Sequence, residues 1–186
     1  MTSEPIYIYH IVPHNLTGST LYPLNQLAEL YPDIYAHHVK KYDGREDLTK
    51  QRIPVFNCLW NDVLQCSPVP PDQLQQAFRE AGFHKFPKRW FRLDPQALGF
   101  NSHNTVIFHP KHRELGDFSI QPQQISPFSR QAVKELIHIP PAMMTHLHQS
   151  DPQGRRPLLF RYIPHIFHLG IIDIKAVPII TLSEED

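Results

Sequence analysis

The chain has 186 residues, 41% of them hydrophobic, and its 18 basic and 18 acidic side chains cancel formally. That length suits one domain, residues 1–186, with a real core, and the balanced charge excludes a chain-wide electrostatic footprint for nucleic acid or membrane while leaving room for a local patch. Nineteen Pro against seven Gly put Pro at roughly twice its ~5% share, which excludes long helices because Pro interrupts helices and central strands.

In chain order, residues 6–12 are β-branched and aromatic on both alternating faces and are closed by Pro13, which predicts a central strand. Leu24, Leu27, Leu30, Ile34 and Tyr35 then recur at helical spacing, with Pro32 breaking the helix and Asp33 placed to cap a second one. Residues 53–56 and 62–66 read as short strands. Asp72 is placed to cap a helix over 73–81 that Gly82 stops. Strands are expected over 89–93, 104–109 and 132–139, with a polar loop over 111–124 and a short helix over 142–148. Residues 158–182 read as two end strands, and residues 183–186 as an acidic tail. Pro13, Pro54, Pro68, Pro110, Pro140, Pro164 and Pro178 punctuate these strands. The expected class is α+β, a mixed or split β-sheet of short strands with a few short helices.

Cys58 and Cys66 have neither a metal-ligand nor a redox spacing, which fits a reducing compartment. The opening residues lack a basic segment followed by an apolar run, and no stretch approaches the ~20 apolar residues of a membrane helix. A soluble, cytoplasmic protein without a membrane partner is the expectation. Of the 13 His, His146 and His148, and His165 and His168, form pairs whose spacings mismatch a predicted helix and a predicted strand respectively. Zinc asks for about four converging ligands, so no metal site is assigned. Nucleophile elbows, Walker loops and dinucleotide fingerprints are absent. The densest basic-aromatic run spans residues 83–92. There Lys85, Lys88, Arg89 and Arg92 offer cations to phosphates and Trp90 a face for base stacking; the same run also reads, and reads better, as a loop entering a strand, with Trp90 or Phe91 in the core and the cations solvated.

Four pieces stand in a telling order: Ile8-Tyr9-His10-Ile11-Val12, then 62–68 ending Cys66-Ser67-Pro68, then 130–140 containing Glu135-Leu136-Ile137-His138-Ile139-Pro140, then Ile163-Pro164-His165-Ile166-Phe167. This order resembles the ADP-ribosyltransferase superfamily, in particular its DNA-modifying thymidine toxins and small bacterial relatives. The resemblance implies an ADP-ribosyltransferase-like fold, NAD as substrate, and a nucleic-acid or protein acceptor. It also implies a partner protein that neutralises the activity. By the same resemblance His10 and Ser67 would hold NAD and Glu135 would be the catalytic carboxylate. An assisting Arg would lie between the first two functional strands, where both Arg45 and Arg52 stand. Arg52 is assigned to the chemistry and Arg45 to the pyrophosphate, with the choice between them open. Two further readings remain: a non-catalytic nucleic-acid or protein binding module using residues 83–92, and a metal-dependent hydrolase using the His pairs.

Overall fold

The computed structural model describes residues 5–110, 119–154 and 156–183. Its elements run β1 (Ile8–Ile11), β2 (Thr20–Leu21), α1 (Leu24–Leu30), α2 (Pro32–Val39), β3 (Arg52–Ile53), β4 (Cys58–Leu59), β5 (Val63–Cys66), α3 (Pro71–Glu80), β6 (Arg89–Leu93) and β7 (Thr105–Phe108). They continue with β8 (Ile125–Pro127), α4 (Arg130–Lys134), α5 (Pro141–His148), β9 (His165–Leu169), β10 (Ile172–Asp173) and β11 (Ile179–Thr181). The architecture is mixed α+β: short strands in several small sheets, with few and short helices. No described helix is long and apolar enough to cross a membrane.

Two antiparallel sheets dominate. One has the order β1-β6-β11, the other β5-β9-β7-β8. They meet at a single bridge, where Tyr9 and Ser67 exchange both backbone hydrogen bonds at 2.8 Å. The pairs β2–β10 and β3–β4 stand apart from them. β7 is buried along its whole length, as its continuous Thr-Val-Ile-Phe run requires of a strand covered on both faces. Prolines close β1, β3, β5 and β7, and Pro178 precedes the edge strand β11, positions that ask no ladder bond of the missing N–H.

Several local expectations are corrected. Residues 132–139 do not form a strand. Ser129 caps α4 instead, its Oγ accepting from Ala132 N at 3.1 Å, and Val133 alone is fully buried from that helix. Pro140 therefore opens α5 rather than ending a strand. Asp33 and Asp72 are not caps: Pro32 and Pro71 occupy the first helical positions, and the aspartates sit in the first turns, where they favour the positive end of the helix dipole. Leu30, one of the residues at helical spacing, is exposed. The predicted loop 111–124 ends in a 3₁₀ turn at Pro122–Gln124 that feeds β8; its residues 111–118, and 184–186 of the acidic tail, lie outside the described residues.

Three apolar clusters hold these parts. The first joins Ile8 and Leu93 to Ile107, Ile166, Leu21 and Val133. The second packs α3 and α5 on Trp90, Phe78, Leu147 and Ile163. The third gathers Trp60, Val63, Phe108, Phe167 and Tyr42. His168 is buried in the four-stranded sheet, stacked on Phe100 at 4.0 Å. Thr105 Oγ1 donates to Asn104 Oδ1 and so accepts from His168 Nδ1 at 3.0 Å. Burial pushes this imidazole down to about 4. A His held neutral by folding stabilises fully above its unfolded pKa near 6.5, and that stability is lost as pH falls through the window down to about 4. The expected outcome is a loss on the order of 2–3 kcal/mol across that window, and a shallower slope in His168→Asn, measured by urea denaturation at pH 4 to 7.

Candidate functional site

Beyond the Tyr9–Ser67 bridge the two sheets part. A cavity of about 930 Å³ opens there, with His10 and Ile11 of β1 on one side and Val63, Leu64 and Gln65 of β5 on the other. Two further walls complete it: the α1–α2 arm with the 3₁₀ turns after it, and residues 158–162 just before β9.

The arm explains itself from its sequence. Leu24, Leu27, Tyr31, Ile34, His38, Lys41 and Arg45 follow one another at steps of three and four, and all of them line the cavity. Within each helix that spacing keeps one face aligned; α1 ends at Leu30, and Tyr31, with φ −146° and ψ 70°, separates it from α2, whose first position is Pro32. Neither α1 nor α2 has a fully buried residue; their apolar stripe lines the cavity, while Leu24 and Val39 also pack on the third cluster. The stripe is aliphatic and aromatic at first and cationic at its end.

The described lining contains His10, His38, Lys41, Arg45, Arg161 and His165, and no Asp or Glu. Among the described residues only Lys50 and Asp47, both exposed, form an ion pair with each other. The Lys41 ammonium lies 5.1 Å from the centre of the Tyr42 ring. Burial, and then the nearby Arg45, push its pKa down. Lys41 is exposed by area yet closely surrounded by protein, as befits a side chain that opens into a concavity. Arg45 Nη2 donates to Lys41 O at 2.5 Å, while its buried Nε has no hydrogen-bond partner among the described residues. An unmet buried donor on a cation costs ~1–3 kcal/mol, and an anion in the cavity would relieve it.

His10 is fixed in one tautomer. Its Nδ1 lies 2.7 Å from Ile11 O, a carbonyl that only accepts, so Nδ1 carries the proton and Nε2 keeps its lone pair. Burial holds the imidazole down at about 4, with the Ile11 bond opposing and Lys41 assisting. His10 therefore serves as a neutral acceptor. Behind the cations Tyr42 donates to Asn61 Oδ1 at 2.7 Å and receives Trp60 Nε1 at 3.1 Å, which stiffens the cavity floor. His38 Nε2 donates to Asn15 Oδ1 at 2.6 Å and ties α2 to the loop after β1.

The sequence-derived site residues separate. His10 and Arg45 share the cavity; Ser67, Arg52 and Glu135 are not in its lining. Ser67 is buried, and its Oγ both donates to Val69 O and accepts from Val69 N, each at 3.1 Å. Arg52 is exposed and clamps the β3–β4 hairpin through Asn57 O at 2.9 Å and Asn57 Oδ1 at 3.1 Å. Glu135 is exposed at the end of α4 and accepts from Gln131 Nε2 at 3.0 Å. Its helix nevertheless packs through Val133 on the same cluster as Leu21 and Leu64, which wall the cavity. Nothing in the sequence showed that Lys41 and Arg45 face one void. Arg161, Tyr42 and Asn61 carried no signal.

Trp90 is not a base-stacking platform. It is completely buried, its Nε1 donates to Pro87 O at 2.8 Å, and it stacks on Phe86 at 6.0 Å. Arg92 is half-buried against the Tyr7 ring at 4.7 Å. Lys85, Lys88 and Arg89 are exposed. Lys88 and Arg89 border a groove of about 350 Å³ with His14, and this groove shares Ile11 and Pro13 with the large cavity. Among the described residues no three His, Cys, Asp or Glu converge as metal ligands. Burial pushes the Cys58 and Cys66 thiols up to about 11 and about 12, which keeps them protonated and poor nucleophiles.

No family model, curated protein or solved structure matches this chain. Trp90→Ala is expected to destabilise the protein by about 3–5 kcal/mol, as loss of a core aromatic does, while Lys85→Ala and Arg89→Ala change stability by less than about 0.5 kcal/mol. Guanidinium denaturation of the three variants checks this.

Proposed function

We propose that this protein binds a nicotinamide dinucleotide in the cavity at the sheet split and acts as an NAD-dependent ADP-ribosyltransferase-like protein. The observation that carries the binding half is the Lys41–Arg45 pair, two cations in an aromatic-lined cavity whose described lining holds no carboxylate. A pyrophosphate matches such a pair, because Arg presents a planar fork and Lys a point charge to phosphate oxygens. Tyr22, Tyr31, Trp60 and Phe160 supply faces for the rings at either end. His10 Nε2 accepts a hydrogen bond from a ribose hydroxyl. Arg45, rather than Arg52, is the Arg that this reading uses.

The resemblance supplies the reaction. The bond from nicotinamide nitrogen to ribose C1′ breaks, nicotinamide leaves with the bonding pair, and positive charge develops on the ribose. An acceptor nucleophile bonds to C1′ and gives up its proton. A carboxylate stabilises that cation and takes up the proton. Glu135 is the residue proposed for it, and it acts only if α4 brings it to the cavity mouth. The groove at His14, Lys88 and Arg89, contiguous with the cavity, suits an anionic acceptor such as nucleic acid. A second reading, a non-catalytic binding module, draws on the exposed Lys85, Lys88 and Arg89 alone, since Trp90 belongs to the core.

Calorimetric titration with NAD separates these readings. Wild-type protein is expected to bind, and Arg45→Ala and His10→Ala to weaken binding about 10-fold or more, the size of a lost charge-assisted contact. Glu135→Ala is expected to bind NAD as the wild type does and to release no nicotinamide. Wild-type protein that fails to bind NAD moves the function to the binding module. Undiminished nicotinamide release by Glu135→Ala removes that residue from the mechanism.

A further inference from the structure

The floor of the cavity holds a hydrogen-bond donor that the anion-binding pair leaves unused. Asn61 sits in the 3₁₀ turn Trp60–Asp62, just before β5, and is only 3% exposed. Its turn is clamped from several directions. Asp62 accepts from Leu59 N through Oδ2 and from Asn25 Nδ2 through Oδ1, both at 2.7 Å. Trp60 N donates to Gln51 O at 2.8 Å, and Trp60 O accepts from Gln65 Nε2 at 3.1 Å.

The hydrogen-bond chain through Tyr42 runs one way. An indole N–H only donates, so Trp60 Nε1 gives its proton to Tyr42 Oη at 3.1 Å. Tyr42 gives its own to Asn61 Oδ1 at 2.7 Å. Oδ1 is therefore turned into the floor, and Nδ2 is the end left over. Nδ2 makes no hydrogen bond among the described residues, and Asn61 lines the cavity. Each bond in such a chain polarises the next, which makes the Nδ2 hydrogens better donors.

We propose that Asn61 Nδ2 reads the carboxamide oxygen of nicotinamide, so that this floor takes the nicotinamide end of the dinucleotide and not the adenine end. The inference rests on the dinucleotide reading of the cavity and assigns its orientation. One side chain sets the spacing: Lys41 Nζ lies 5.1 Å from the centre of the Tyr42 ring, whose hydroxyl holds Asn61. The cation for phosphate and the amide donor are thus separated by one tyrosine side chain, as pyrophosphate and nicotinamide are separated by one ribose. Adenine suits the floor less well. An Asn reads adenine with its oxygen and its nitrogen together, and here Oδ1 is engaged. A carboxamide oxygen asks only for a donor. Beside Asn61, Trp60 and Phe108 meet edge-on at 5.8 Å, and both line the cavity, where they offer aromatic faces to the positively charged pyridinium.

The test is calorimetric titration of wild type and Asn61→Ala with NAD and with the analogue dinucleotide in which pyridine replaces nicotinamide, so that only the carboxamide is missing. Wild type is expected to favour NAD by about 5-fold or more, the size of one polarised hydrogen bond. Asn61→Ala is expected to bind both ligands equally, close to the affinity of wild type for the analogue. That retained binding also shows that the variant keeps its cavity. Wild type that binds both ligands alike overturns the assignment whatever the variant does, and so does an Asn61→Ala that keeps the preference for NAD. Failure of wild type to bind either dinucleotide overturns the dinucleotide reading, and the assignment with it.

Discussion

β1 and β5 meet through one residue pair, Tyr9 and Ser67, whose two 2.8 Å backbone bonds join the three-stranded and four-stranded sheets. On one side of that bridge Pro68 ends the run of β5, and Ser67 spends its hydroxyl on Val69. On the other side the strands part, leaving His10 and Ile11 across a void from Val63 to Gln65. A continued ladder would have filled this space with backbone hydrogen bonds. The split instead exposes strand edges to a cavity, where polar groups need partners. The α1–α2 arm and the 158–162 turn exist, structurally, to wall that gap.

What the walls bring is charge without countercharge. Lys41 and Arg45 are neighbours on one stripe, and Arg45 leaves Nε unmet. Like charges held together in a partly desolvated place cost stability, and the Tyr42–Asn61–Trp60 network behind them holds the floor against relaxation. Tyr162 adds backbone strain at the opposite wall. Unfavourable features of this kind gather where a ligand repays them. His10 contributes differently: its tautomer is locked by the adjacent carbonyl, so it offers a lone pair and no charge.

Legibility in the sequence tracked how local the cause was. Thr105–Phe108 was readable because burial on both faces writes itself into every residue, and Arg89–Leu93 because its Trp-Phe pair is followed by the Asp94-Pro95 turn. The segment 132–139 was misread, since Ser129 as a cap and the Gln131–Glu135 pair are short local signals that apolar content overrode. Trp90 was open to two readings, a stacking ring beside the cationic Lys88, Arg89 and Arg92 or a core residue of the strand. β6 is covered on both faces, with Phe91 in the first cluster and Trp90 in the second, against Phe86 and Phe160. Arg45 and Arg52 were indistinguishable along the chain. They differ only in what surrounds them, the cavity for one and the Asn57 hairpin turn for the other.

The sequence by itself determined the α+β class, the short strands closed by prolines, and the helical spacing of Leu24, Leu27, Leu30, Ile34 and Tyr35 interrupted at Pro32, because these follow from side-chain volume, missing N–H groups and helical period. Only the tertiary structure decided that β1 and β5 touch once and then part, that the stripe of the α1–α2 arm faces a void, and that His10 and Arg45 share it while Ser67, Arg52 and Glu135 stand outside its lining. Those outcomes depend on which strands pair across many residues of chain, and no local spacing encodes that pairing.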